Sequence, residues 1–212
     1  MKLLSVQLAR AIWLADANEF NPRGLNMFAQ LVPIWVERYG FKVYPKMGDD
    51  PSDGMKFSQG EFKSEALEPL VVSATVYNDG IIADTFASTK DSEDFLDEML
   101  KSLPEFGLVY EPEMIRQKHY LSQVFIRTSA RVVAVSEKLN MLASKVSETS
   151  GQPFYLGAFE FWPDQTQSRK PANFSFQKKT GSSPADDRYW SQAPLSTNKH
   201  LEMLQELESI LS

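Results

Sequence analysis

The 212-residue chain contains no cysteine. That absence excludes a disulfide framework, thiolate zinc sites, cysteine nucleophiles and iron–sulfur ligation, and it suits a reducing compartment. Glycine is scarce, with ten residues scattered through turn-like stretches. Neither a Walker-type nor a dinucleotide-type phosphate loop can be assembled from them. Only two histidines occur, His119 and His200. Neither has a carboxylate at helical ligand spacing, and no Gly-x-Ser-x-Gly elbow supplies a nucleophile. No apolar run reaches the length of a membrane span. The opening residues, Met1-Lys2-Leu3-Leu4-Ser5-Val6-Gln7-Leu8, are interrupted by Ser5 and Gln7, so they read as a strand rather than a signal peptide. The expectation is a cytoplasmic protein that carries no cofactor.

The composition is that of a folded globular chain: 42% apolar and 24% charged residues. Fourteen Phe, seven Tyr and four Trp fill a core or anchor a partner. The length suits one domain over residues 1–212. The net charge of −6 is unevenly spread. Residues 1–115 hold ten basic and nineteen acidic side chains, whereas residues 116–190 hold eleven basic and six acidic. Such asymmetry orients a partner or a self-association.

Periodicity places the elements. A strand covers Leu3 to Leu8, and a helix runs from about Leu25 to Tyr39 on Leu25, Phe28, Leu31, Val32, Trp35 and Val36, with Pro33 inside and Gly40 as the stop. Phe41 to Tyr44 and Met55 to Lys63 read as short strands. Leu70 to Tyr77 and Ile81 to Ala87 flank Asn78-Asp79-Gly80, a hairpin signal. With Asp79-Gly80 as the turn, Val76 pairs Ala83 and Ala74 pairs Thr85, leaving Ser73, Thr75, Tyr77, Ile82, Asp84 and Phe86 on the other face. Asp91 or Ser92 caps a helix that buries Phe95, Leu96, Met99, Leu100 and Leu103 before Pro104.

His119 to Thr128 reads as a strand. A helix starting at Val132 or Ser136 turns Leu139, Leu142, Ala143 and Val146 inward and closes at Gly151. Pro153 to Trp162 and Asn173 to Lys178 form an antiparallel pair. The last helix, capped by Ser196 or Thr197, buries Leu201, Leu204, Leu207, Ile210 and Leu211. The whole predicts an α+β fold, a mixed or antiparallel sheet with helices packed on it. Residues 1–110 and 116–212 read as two β-α-β-β-α units, the pattern of an internal duplication.

Three constellations carry candidate chemistry. Asp49, Asp50 and Asp53 precede Glu61-Phe62-Lys63. In a metal-dependent nuclease, Asp50 and Glu61 would hold the cation while Lys63 steadies the attacking water. The alternative is a solvated turn followed by an exposed strand. As a calcium loop the segment fails, because Pro51 occupies a ligand position and Gly60 stands where a bidentate Glu belongs. Arg169, Lys170, Lys178 and Lys179 interleave with Phe174 and Phe176, a pattern that holds phosphates and stacks bases, on an otherwise acidic chain. Tyr189-Trp190 is either a partner anchor or a pair packed on the sheet.

With most catalytic signatures missing, the sequence points to a non-enzymatic protein-binding domain of the bacterial accessory kind. Its acidic first half suits a basic partner, contacted through Asp49, Asp50, Asp53, Tyr189 and Trp190. A toxin-neutralising (immunity-type) protein and a subunit of a larger assembly, including a homo-oligomer, both fit. The competing readings are the nuclease-like enzyme of Glu61 and Lys63 and a nucleic-acid-binding module.

Overall fold

Small inward side chains carry the first strand well beyond its sequence signal. In the computed structural model, β1 spans Lys2–Leu14, with Ala9, Ala11 and Trp13 buried on one face. Residues 1–49, 53–63, 68–167, 170–181 and 186–211 are described. After β1 come α1 (Ala17–Phe20), α2 (Met27–Tyr39), β2 (Met55–Phe62), β3 (Leu70–Tyr77), β4 (Gly80–Thr85) and α3 (Thr89–Lys101). Then follow β5 (Gln117–Arg127), α4 (Glu137–Ser150), β6 (Ala158–Phe161), β7 (Phe174–Lys178), β8 (Arg188–Ala193) and α5 (Thr197–Leu211). Every pairing given below is antiparallel, and the class is α+β. No described helix is long and apolar enough to cross a membrane.

The chain divides into two compact units, and the divisions fall inside strands. The first unit is Leu8–Leu121; the second joins Met1–Gln7 to Ser122–Ser212. The first carries eleven basic and nineteen acidic residues, and the second eleven and nine.

In the first unit the strands lie in the order β2-β3-β4-β1. The Asn26 side chain accepts from the Ala29 amide and starts α2 two residues later than periodicity suggested. Pro33 is tolerated inside that helix. Helix α3 is capped by Ser88, not by Asp91 or Ser92: the Ser88 hydroxyl oxygen accepts from the Asp91 amide, and its proton goes to the Asp91 carboxylate. Its predicted stripe is buried as expected, from Phe95 to Leu103. Trp35, Tyr39, Phe41, Phe57, Phe62 and Phe95 join it in one core, with Trp35 edge-on to Phe57 at 5.5 Å and Tyr39 edge-on to Phe95 at 5.1 Å. Residues 41–44 do not form a strand; a single bridge joins Val43 to Ser58.

The β3–β4 hairpin forms, but two residues out of the expected register. Val76 pairs Ile81, Ala74 pairs Ala83 and Val72 pairs Thr85, so the turn is Asn78-Asp79. A slip of two preserves the faces, which is why the buried set Val72, Ala74, Val76, Ile81, Ala83 and Thr85 still follows the alternation. Neither turn residue adopts positive φ, so Gly80 serves a different purpose. It pairs with Leu14, and a Cβ there would sit 2.6 Å from the Trp13 carbonyl oxygen. Close approach of β1 is what demands glycine.

In the second unit the order is β6-β7-β8-β5. Strand β8 lies where the sequence suggested an irregular anchor segment, and it gives this unit three strands after its first helix rather than two. Its core holds Val124, Ile126, Val132, Phe176, Tyr189 and Leu204. The two remaining predicted stripes differ. Of α5, Leu204 is buried and Leu201, Leu207 and Leu211 pack partly buried against the core, leaving Ile210 76% exposed. Helix α4 forms on local signals, a Ser136 cap and Gly151 at φ 69°, but none of its residues is buried. Leu139, Leu142 and Val146 face solvent, because α4 packs chiefly against the 3-10 turn at Val132–Val135 rather than on the sheet.

The Asn78-Asp79 turn makes a testable distinction. Gly80→Ala should cost about 1–3 kcal/mol through the clash with β1, while Asp79→Gly should bring no gain in the urea midpoint. The reverse pattern would place the turn at Asp79-Gly80.

Candidate partner-binding site

The acidic cluster lies beside a groove of the first unit. The start of α2 contributes Met27 and Phe28, β2 contributes Met55, and the end of β3 contributes Val76 and Tyr77. Residues 45–49 close the rim around a cavity of about 530 Å³. The rim is shaped by Asp49, whose carboxylate accepts from the Lys46 amide at 2.8 Å while its own amide donates to the Lys46 carbonyl at 3.1 Å. Gly54 (φ 72°) completes the wall, and a Cβ there would meet the Tyr77 ring at 2.9 Å. Met47 stands on this rim 94% exposed. Asp53 lies next to the groove and pairs with Lys56 at 3.2 Å. Asp50 lies outside the described residues. The methionine lining left no periodic pattern in the sequence, since its members come from three separate elements.

Glu61 and Lys63 are both exposed with Phe62 buried between them, so they share a face as expected. They line a second cleft of about 480 Å³, together with Arg38, Tyr39 and Glu98. Burial, then the charge of Glu98, pushes the Tyr39 hydroxyl well above its usual range. Asp49 is a lining residue of the groove and not of this cleft. Among the described residues no three His, Asp or Glu side chains come together as a metal site.

The basic and aromatic residues of the second unit separate onto different surroundings. Phe176 is wholly buried, and Tyr189 stacks on it at 4.6 Å while only 3% exposed. Trp190, its neighbour on the opposite face of β8, is half-buried and pairs across with Phe125 and Gln177. Lys178 sits over the Tyr189 ring at 4.9 Å and Lys179 over Phe125 at 4.7 Å. Lys170 is exposed, and Arg169 lies outside the described residues. With Arg131, Tyr155 and Asp187, Lys178 and Tyr189 line a cleft of about 430 Å³.

The two histidines differ. His119 is exposed and lies 3.3 Å from the Gln117 side chain. His200 is wholly buried, with Nε2 2.9 Å from Ser191 Oγ. The Ser191 hydroxyl donates to the Ser175 carbonyl at 2.9 Å. Ser191 therefore accepts from His200, which fixes the proton on Nε2. Sequence reasoning had no signal for this pair, because its partners come from different elements.

Together these features define an α+β protein with a methionine-lined groove that carries Asp49 and Lys46 on its rim. No protein-family model and no curated protein matches the chain.

Burial lowers the His200 pKa from 6.5 to about 4. The unfolded chain binds this proton below 6.5 and the folded chain does not, so stability is full above pH 6.5 and falls as pH approaches 4. The loss at this one wholly buried group is about 3 kcal/mol. His200→Gln should flatten the stability curve between pH 6.5 and 4 in urea titrations. Glu208 acts lower: hydrogen bonds, chiefly from the N-terminal amine and then from the Ser129 amide and Thr128 hydroxyl, hold it at about 2. Its contribution, present above about pH 4.5, is lost as pH falls through about 2.

Proposed function

We propose that the chain is a non-catalytic protein-binding domain that holds a basic partner at the groove of its first unit. The observation that carries this reading is Met47, 94% exposed on the rim of an apolar groove beside Asp49. Flexible, polarisable thioethers suit a surface that adapts to a partner's side chains, and a large apolar side chain left in solvent marks an interaction site when it borders a groove. The excess of acid in this unit steers a cationic protein and suppresses acidic ones. A toxin-neutralising (immunity-type) role is the form that best suits such an acidic accessory protein.

We also propose that the two units arose by duplication. Apart from the four-residue α1 of the first, each runs strand, helix, three strands, helix, and the closing helices align: Ser88-Thr89 with Ser196-Thr197, Ser92 with His200, Leu96 with Leu204. Failure of these residues to superpose, each with the strands of its own unit, overturns it.

Capture of the tagged chain from its native cells, with mass spectrometry at low and high salt, tests the binding function. The expected partner is a stoichiometric basic protein that salt releases. Met47→Ser, which removes the apolar contact without changing charge, should weaken the complex at least tenfold. Asp49→Asn with Asp53→Asn, which keeps the rim's acceptor oxygen at Asp49, should slow association at low salt and leave high-salt binding unchanged. Binding insensitive to all three substitutions removes the groove from the interface.

A further inference from the structure

The two units cover their sheets to different extents. In the first, α2 and α3 both lie on the inner face, and Trp35 of α2 closes over Phe57 of the edge strand. In the second, α5 supplies Leu204 to the core and no residue of α4 is buried. Both halves of a helix–sheet contact are consequently left open on one unit. The helix half is the stripe Leu139, Leu142, Ala143 and Val146, whose three large members are 46%, 56% and 39% exposed. The sheet half is the edge strand β6. Phe159 and Phe161 pair with Phe176 and Phe174 and share the core face with them. Phe161 stacks on Phe174 at 5.5 Å yet is 63% exposed.

We propose that a second copy of this chain completes the contact, with α4 of each copy laid across the open β6–β7 face of the other in a two-fold exchange. An interface made of the same two complementary patches on each copy is self-complementary and closes as a dimer. Charge agrees. Lys138 and Lys145, seven residues apart, run along one flank of the α4 stripe. Helix α5 exposes Glu206 on its outer surface, and Glu202 one turn earlier is already paired with Lys199 at 2.9 Å. The first unit already shows this arrangement within one chain, where Arg38 of α2 pairs at 2.7 Å with Glu105, just beyond α3. Size agrees as well. Two such contacts bury on the order of 1,000 Å² of apolar surface, which with the polar flanks approaches the ~1,600 Å² of a standard interface. This surface is separate from the methionine groove and does not depend on its role.

Sedimentation equilibrium of the full chain should show a monomer–dimer equilibrium with dimer predominant at concentrations on the order of 100 μM. Leu142→Glu and Phe161→Glu should each raise the dimer dissociation constant about a hundredfold. Both positions are exposed in the single chain, so circular dichroism should stay unchanged. Because the chain has no cysteine, crosslinking is clean: a Leu142→Cys chain mixed with a Phe161→Cys chain should oxidise to a covalent pair. A monomer at that concentration overturns the proposal. So does a dimer indifferent to both glutamates, or a double-cysteine chain that crosslinks only within itself.

Discussion

Close approach to the inward face of β1 at Ala9 and Ala11 governs the first unit. Both are wholly buried, Trp13 follows on the same face, and Gly80 of β4 lies against the backbone of Trp13 and Leu14. Helix α3 can then come close enough for the Ser92 hydroxyl to donate to the Ala9 carbonyl at 2.8 Å and to stand 3.0 Å from Thr85 Oγ1. A larger side chain at Ala9 would push α3 outward and break the Ser92 bond to β1, leaving the Ser92 and Thr85 hydroxyls to the Ser88 carbonyl, which both also reach. On the opposite face the same strand pair is tied by Arg10, which donates to both carboxylate oxygens of Asp84 at 2.6 and 2.8 Å.

The second unit meets the same requirement with different chemistry. Where Ser92 stands on α3, His200 stands on α5, and the larger ring reaches across to Ser191. Ser122 occupies the β5 position opposite Ala193, as Ala9 of β1 stands opposite Thr85. Imidazole brings a group that titrates in mild acid into a fully enclosed position, while Ser92 brings none. Apart from α1, the two units have the same order of helices and strands, yet acid acts on the core of the second alone through this position.

What was legible in the sequence was what local signals determine. The stripe of α3, the alternation of β3 and β4 and the glycine stops at Gly40 and Gly151 need no distant partner, and all appear as expected. The hairpin register was misread because Asp79-Gly80 matches a turn preference, whereas Gly80 is set by β1, which is sixty-odd residues away in the chain. Strand β8 was hidden for a similar reason: Tyr189 and Trp190 look like anchors until Phe176 and Phe125 are placed beside them. The groove was half legible. Its acid was visible at Asp49, but Met27, Met47 and Met55 become a surface only when a helix, a loop and a strand converge.

Helix α4 is the instructive failure. Its spacing, cap and glycine stop match those of α2, and periodicity alone assigns both to a core. Amphipathicity shows that a face requires cover and is silent on whether the same chain provides it. In α2 the stripe includes Trp35 and Tyr39, rings large enough to span from the helix to Phe57 and Phe95. The α4 stripe has only Leu, Ala and Val, with less area to draw the helix down. An amphipathic helix that lies off its own sheet retains the option of covering another surface, and the proposed exchange between chains would use that option.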